Sequence, residues 1–122
     1  MLEKVPLEKI LFLDIETVPQ VSSFKEMSPE TQHLYDLKTK FLQKDTDAEG
    51  VFDRAGIYAE FGKIVCISVG FINESRTGRQ IRLKSFYHHD EATLLKKFVS
   101  LLESHYNTPY HLLCGHNAKE FD

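Results

Sequence analysis

The stretch Ile10-Leu11-Phe12-Leu13-Asp14-Ile15-Glu16 constrains the fold of this chain more than any other. Four consecutive apolar residues fit a strand covered on both faces, in the middle of a sheet rather than at its rim. The run then delivers two carboxylates, Asp14 and Glu16, two positions apart and so on the same side of the strand. Two like charges at the end of an apolar strand repel each other and resist desolvation. A divalent cation is one compensation, and hard oxygen donors of this kind select magnesium or manganese over zinc. The alternative is a pair of solvated acids in the turn beyond the strand. Thr17-Val18-Pro19 is expected to stop the strand, since proline cannot serve an interior ladder.

The following forty residues change character. Ser28 before Pro29 and Glu30 reads as a helix cap with proline at the first helical position, and Leu34, Leu37, Phe41 and Leu42 recur at helical spacing to about Lys44. A weaker helix is expected from Asp47 to Tyr58. Strand signals return after Gly62. Ile64 to Val69 is dense in β-branched residues, and Ile81 to Tyr87 alternates in polarity, with Asn73 to Arg79 as a polar hairpin loop. Arg82 and Lys84 are expected to protect an exposed edge. Asp90 caps an amphipathic helix carrying Leu94, Leu95, Phe98, Leu101 and Leu102 on one stripe. Asn107-Thr108-Pro109 ends it, Tyr110 to Cys114 reads as a further strand, and Gly115-His116-Asn117 turns toward a new helix.

Composition narrows the classes. At 122 residues and 42% hydrophobic the chain is rich enough in apolar residues to exclude disorder and suits one domain. The longest apolar stretch, residues 64–72, falls well short of the roughly 20 residues of a membrane span, so no membrane partner is expected. The amino terminus shows no signal-peptide pattern, and an intracellular, cytoplasmic setting is the simplest expectation. Cys66 and Cys114 form no disulfide framework and read as small buried hydrophobes.

A second constellation is Gly115-His116-Asn117-Ala118-Lys119-Glu120-Phe121-Asp122. Asn117 can cap a helix, with Glu120 completing a capping box. Taken with the first segment, it gives the pair D-I-E-T at Asp14 to Thr17 and N-x-x-x-F-D from Asn117 to Asp122. The pair resembles the first two motifs of the DEDD family of 3′–5′ exonucleases, above all the proofreading domain of family B DNA polymerases and their stand-alone relatives. Gly62 to Gly70 also looks like the second strand of that group, and the likeness spans the chain apart from residues 21–60.

The resemblance implies an α/β fold: a ribonuclease-H-like mixed sheet with flanking helices and a helical insertion at about 22–60. It also implies two-metal hydrolysis of the terminal phosphodiester at the 3′ end of a single strand, DNA more than RNA. Asp14 would then bridge two Mg2+ or Mn2+ ions, Glu16 would bind one and help orient water, and Asp122 would ligate the other. Thr17 and Phe121 resemble positions near the terminal nucleotide, and Asn117 one that supports the substrate strand. The family needs a fourth acidic ligand, preceded four residues earlier by tyrosine or histidine, and a last strand. No residue before Asp122 supplies them, so the sequence is expected to hold the amino-terminal part of such a domain.

Other polar clusters read more plainly. His88-His89-Asp90 is a polar strand end followed by a helix cap. Lys38, Lys40 and Lys44, interspersed with Asp36, Asp45 and Asp47, form a solvated face, and His116 is a turn residue. The competing functions are a nucleic-acid-binding ribonuclease-H-like module without catalysis, and a hydrolase using Asp14 as nucleophile. The net charge of −3 argues against bulk electrostatic gripping of nucleic acid. Set Asp14, Glu16 and Asp122 aside, however, and 15 acids face 15 bases, so cations at those carboxylates would leave a neutral scaffold.

Overall fold

A computed structural model describes residues 2–116 and Ala118. These divide into two compact units, one taking in the stretches up to Glu16 and from Ile64 onward, the other Thr17–Lys63. The architecture is α/β, with a mixed four-stranded sheet and flanking helices. The strands are β1 (Ile10–Pro19), β2 (Gly62–Ser75), β3 (Gly78–Tyr87) and β4 (Leu112–Gly115), in the order β3-β2-β1-β4. β2 and β3 pair antiparallel, whereas β4 lies parallel to β1, with Leu11 opposite Leu113 and Leu13 opposite Gly115.

β1 is an inner strand, as the continuous apolar run indicates, but it is not buried on both faces: Ile10 and Phe12, on the side opposite Leu11, are only half-buried. Leu11 is fully buried, and Leu13 and Ile15 pack on the same cluster with Ile67 and Val69 of β2 and Phe86 of β3. That face is covered by helix α2 (Glu91–His105), whose Leu94 is fully buried and whose Leu95, Phe98, Leu101 and Leu102 line the contact. Each fully buried leucine contributes about 1.5–3 kcal/mol. Phe98 meets the Phe86 ring edge-on at 6.1 Å. The helix starts where its cap allows: an Asp90 carboxylate oxygen accepts from the Thr93 amide at 3.0 Å and from the Thr93 hydroxyl at 2.6 Å. Glu91 in the first turn accepts from the Ile64 amide, fastening the helix to the start of β2.

The 17–63 unit has its own core, built around Tyr35. Ser28 caps helix α1 (Pro29–Thr39) by accepting from the Thr31 amide, with proline at the helix start as the sequence indicates. The buried stripe of α1 is Tyr35 and Thr39, however, and not the leucine stripe: Leu34 is 58%, Leu37 54% and Phe41 65% exposed. The reason is aromatic. Phe24, Phe52 and Phe61 converge on the Tyr35 ring with centroids 5.0–6.4 Å away, and the Tyr35 hydroxyl donates to the Val51 carbonyl at 2.6 Å. Thr39, one turn on, satisfies its buried hydroxyl on the Tyr35 carbonyl at 2.7 Å. The expected helix at 47–58 is a 3-10 segment, Glu49–Ile57, kinked at Val51.

Three further expectations are corrected. The loop between β2 and β3 is two residues rather than seven, because the ladder continues from Asn73–Gln80 to Ser75–Gly78. Gly78 closes it with φ +122°, which glycine alone adopts without strain, and Glu74 and Arg79 pair across the strands at 2.7 Å. The β1 strand includes Thr17 and Val18 and ends on Pro19. Cys114 is exposed and Cys66 only half-buried, since Cys114 sits on the outer strand of the sheet. Among the described residues, no helix is long and apolar enough to cross a membrane.

Candidate functional site

Burial along β1 sets out the candidate site. From Asp14 the pattern alternates, with Asp14 and Glu16 exposed and Ile15 and Thr17 half-buried. Ile15 packs into the α2-covered core, so the two carboxylates project from the opposite face of the sheet. Neither has a hydrogen-bond or ion-pair partner among the described residues. They are two free hard-oxygen donors on one side of an inner strand, a donor set that fits Mg2+ or Mn2+.

The β1–β4 register adds a second element. Both strands run the same way, and Gly115 at the end of β4 lies opposite Leu13, the residue immediately before Asp14. The approach is close: a Cβ on Gly115 would lie 3.5 Å from the Leu13 carbonyl oxygen and 3.2 Å from the Ala118 Cβ. The segment beginning Gly115-His116 therefore leaves the sheet beside the carboxylate pair. In α/β sheets the carboxyl ends of parallel strands are where ligands bind.

Of the residues expected from the sequence, Asp14 and Glu16 stand on one face. Asn117, Phe121 and Asp122 lie outside the described residues. Thr17 is half-buried in the 17–63 unit, where its hydroxyl donates to the Gly56 carbonyl at 2.5 Å. Among the described residues, no three His, Cys, Asp or Glu side chains converge as a metal-holding group.

The other polar clusters behave as their surroundings dictate. His88 accepts the Asp90 amide on Nδ1 at 2.9 Å. The Asp90 carboxyl is held below its ordinary value, first by the Thr93 hydroxyl and then by the Thr93 amide. Lys38 pairs with Glu60 at 3.0 Å and Lys40 with Asp36 at 2.8 Å, an ordinary solvated face. The Glu60 carboxyl is lowered first by a backbone hydrogen bond and then by Lys38.

Sequence reasoning missed one cluster. Lys84, read as edge protection, and Lys96 and Lys97, not singled out at all, line one open groove together with His88. Its signal was present in two separate pieces, the alternation Arg82-x-Lys84-x-Phe86-x-His88 and the helical set Lys96, Lys97 and Ser100. The pieces come together only when α2 turns back along β3. Comparison of the chain with models of known protein families, with curated proteins and with solved structures gives no significant match.

Proposed function

We propose that this protein is a metal-dependent 3′–5′ exonuclease on a ribonuclease-H-like sheet, acting on single-stranded nucleic-acid ends, DNA in preference to RNA. The observation that carries the reading is the exposed pair Asp14 and Glu16 on an inner strand, without a hydrogen-bond or ion-pair partner among the described residues, with the end of parallel β4 beside them. The sequence motif pair supports it, and Gly115, two residues before the second motif begins in the sequence, ends the strand beside the one that bears the first.

In this reading Asp14 and Glu16 hold divalent cations, and Asp122 completes the donor set. Two such ions, when bound, stabilise the attacking and leaving oxygens of an in-line displacement. The side chains of this chain have simpler tasks. Asp14 and Glu16 supply negative charge that attracts the cations and would repel the phosphate without them. Glu16 also accepts a hydrogen bond from the attacking water and so orients it. In this reading Asn117 and Phe121 border the terminal nucleotide, whereas Thr17, on the alternate side of β1 with its hydroxyl donated to the Gly56 carbonyl, does not share the carboxylate face.

The test is degradation of a 5′-labelled single strand by the protein in magnesium, compared with Asp14→Ala. Stepwise shortening that disappears in the variant is expected. Binding without shortening in both proteins would replace the enzyme by a non-catalytic nucleic-acid-binding module.

A further inference from the structure

The groove between β3 and α2 gathers Lys84, Lys96, Lys97 and His88 on one lining. It has a volume of about 840 Å³, and Lys84, Phe86 and His88 meet Lys96, Lys97 and Ser100 across it. Arg82 extends the row along β3, one residue pair further from His88. Alternate residues of a strand are about 6.6 Å apart, on the scale that separates successive phosphates of an extended nucleic-acid strand.

What sets this groove apart is the gathering of three lysines and His88 along one lining. Of the other described lysines, Lys25, Lys38 and Lys40 pair with Glu49, Glu60 and Asp36, whereas Lys4, Lys9, Lys44 and Lys63 make no ion pair among the described residues. Lys96 and Lys97 have no ion-pair partner among the described residues, and Lys84 contacts only the Phe86 ring, its Nζ 4.9 Å from the centroid. Asp90, which caps α2 through Thr93, also interacts with Lys96 and His88, and Glu91 accepts from the Ile64 amide. Three lysines and His88 still leave positive charge in excess along one groove of a chain whose net charge is −3.

We infer that the β3–α2 groove is a phosphate-backbone track that holds single-stranded nucleic acid away from the candidate carboxylate site. The ligand class rests on the exonuclease reading; the groove itself does not depend on metal. Leu11, Leu13 and Ile15 share the α2-covered core with Phe86, so the track and the exposed Asp14 and Glu16 belong to opposite faces of the sheet. β3 is an outer strand with one strand between it and β1, so the lateral step from β3 to β1 is about 10 Å, in addition to the passage round the edge from one face of the sheet to the other. A nucleic-acid strand passing round that edge reaches both. The lysines act as mobile point charges that follow the backbone without reading sequence.

The experiment is fluorescence anisotropy of labelled oligothymidylate in EDTA, over about 50 to 200 mM salt. The proteins are the wild-type chain, Lys96→Gln/Lys97→Gln, Lys84→Gln/Lys96→Gln/Lys97→Gln and Asp14→Asn/Glu16→Gln, with folding checked by circular dichroism. Each phosphate contact contributes about 0.7 to the single-strand salt slope. The triple lysine variant is therefore expected to lose about 2 from that slope, and about 100-fold in affinity at 0.1 M salt. The double lysine variant should fall between it and the wild type. The Asp14→Asn/Glu16→Gln protein should bind at least as well as wild type. Lysine variants that match wild type in affinity and slope would overturn the track, as would a wild type that ignores the oligomer. Binding of phosphatidylserine vesicles in place of the oligomer would also overturn it. Loss of strand shortening with the lysine dependence of binding intact would count against the enzyme reading alone.

Discussion

Tyr35 gives the sharpest test of how the 17–63 unit is held together. It is fully buried, three phenylalanine rings surround it, and its hydroxyl donates to the Val51 carbonyl at 2.6 Å. Tyr35→Phe keeps the ring and removes the donor, leaving the Val51 carbonyl without that partner, at a cost of about 1–3 kcal/mol. Tyr35→Ala also removes the ring and opens a cavity, at a cost of about 3–5 kcal/mol. Against a total stability of about 5–15 kcal/mol, the second change unfolds a substantial fraction of molecules under mild denaturant. The pH dependence follows from the same geometry. Burial pushes the phenol up from 10.0 to about 12, helped by Tyr58 and Asp53 and opposed by Arg54. A raised folded pKa favours the neutral phenol, so its contribution is complete below pH 10 and is lost as pH rises toward 12. Urea melts at neutral pH should rank wild type above Tyr35→Phe above Tyr35→Ala. The gap between wild type and Tyr35→Phe should close between pH 10 and 12. A Tyr35→Phe protein as stable as wild type at neutral pH, or a gap that ignores pH across that window, would refute the reasoning.

Two further outcomes follow from single positions. Gly78 holds φ +122° in open space, so Gly78→Ala meets no steric clash and its cost, about 1–3 kcal/mol, comes from the backbone alone; a neutral result in a denaturant melt would contradict that geometry. Asp90 caps α2 with a carboxyl held below its ordinary 3.8, chiefly by the Thr93 hydroxyl. A depressed folded pKa gives stability that is present above the unfolded value and lost as pH falls through the folded one. Asp90→Ala should therefore melt lower than wild type at neutral pH and converge with it in acid below about pH 4. Asp90→Asn, which still accepts at the cap, should lose the acid-dependent component.

How much of this was legible depends on how strongly each segment states its period. The β1 run, α2 with its Asp90 cap, and the Ser28-Pro29 start of α1 were all readable, because apolar density and cap chemistry agree locally. The buried stripe of α1 was not. Leu34, Leu37 and Phe41 offer the more hydrophobic face, yet the core forms on Tyr35, because its aromatic partners Phe24, Phe52 and Phe61 are distant in sequence. The β2–β3 hairpin was under-read for the opposite reason. Its outer rungs are polar on both faces and are held by the Gly78 turn and the Glu74–Arg79 pair, neither of which leaves a hydrophobic period. At the candidate site, Asp14 and Glu16 were legible as a same-side pair. The β1–β4 register that brings Gly115 beside Leu13 is a long-range pairing, and so is the meeting of Lys84 with Lys96 and Lys97.

The central claim is that Asp14 and Glu16 act together as a cation-holding pair. Its most direct test is a calorimetric titration of Mn2+ into the 122-residue chain and into Asp14→Asn/Glu16→Gln. The account predicts saturable, weak binding of about millimolar affinity in the wild type, as befits few protein ligands, and none in the variant. Equal binding by both proteins, or none by either, would contradict it.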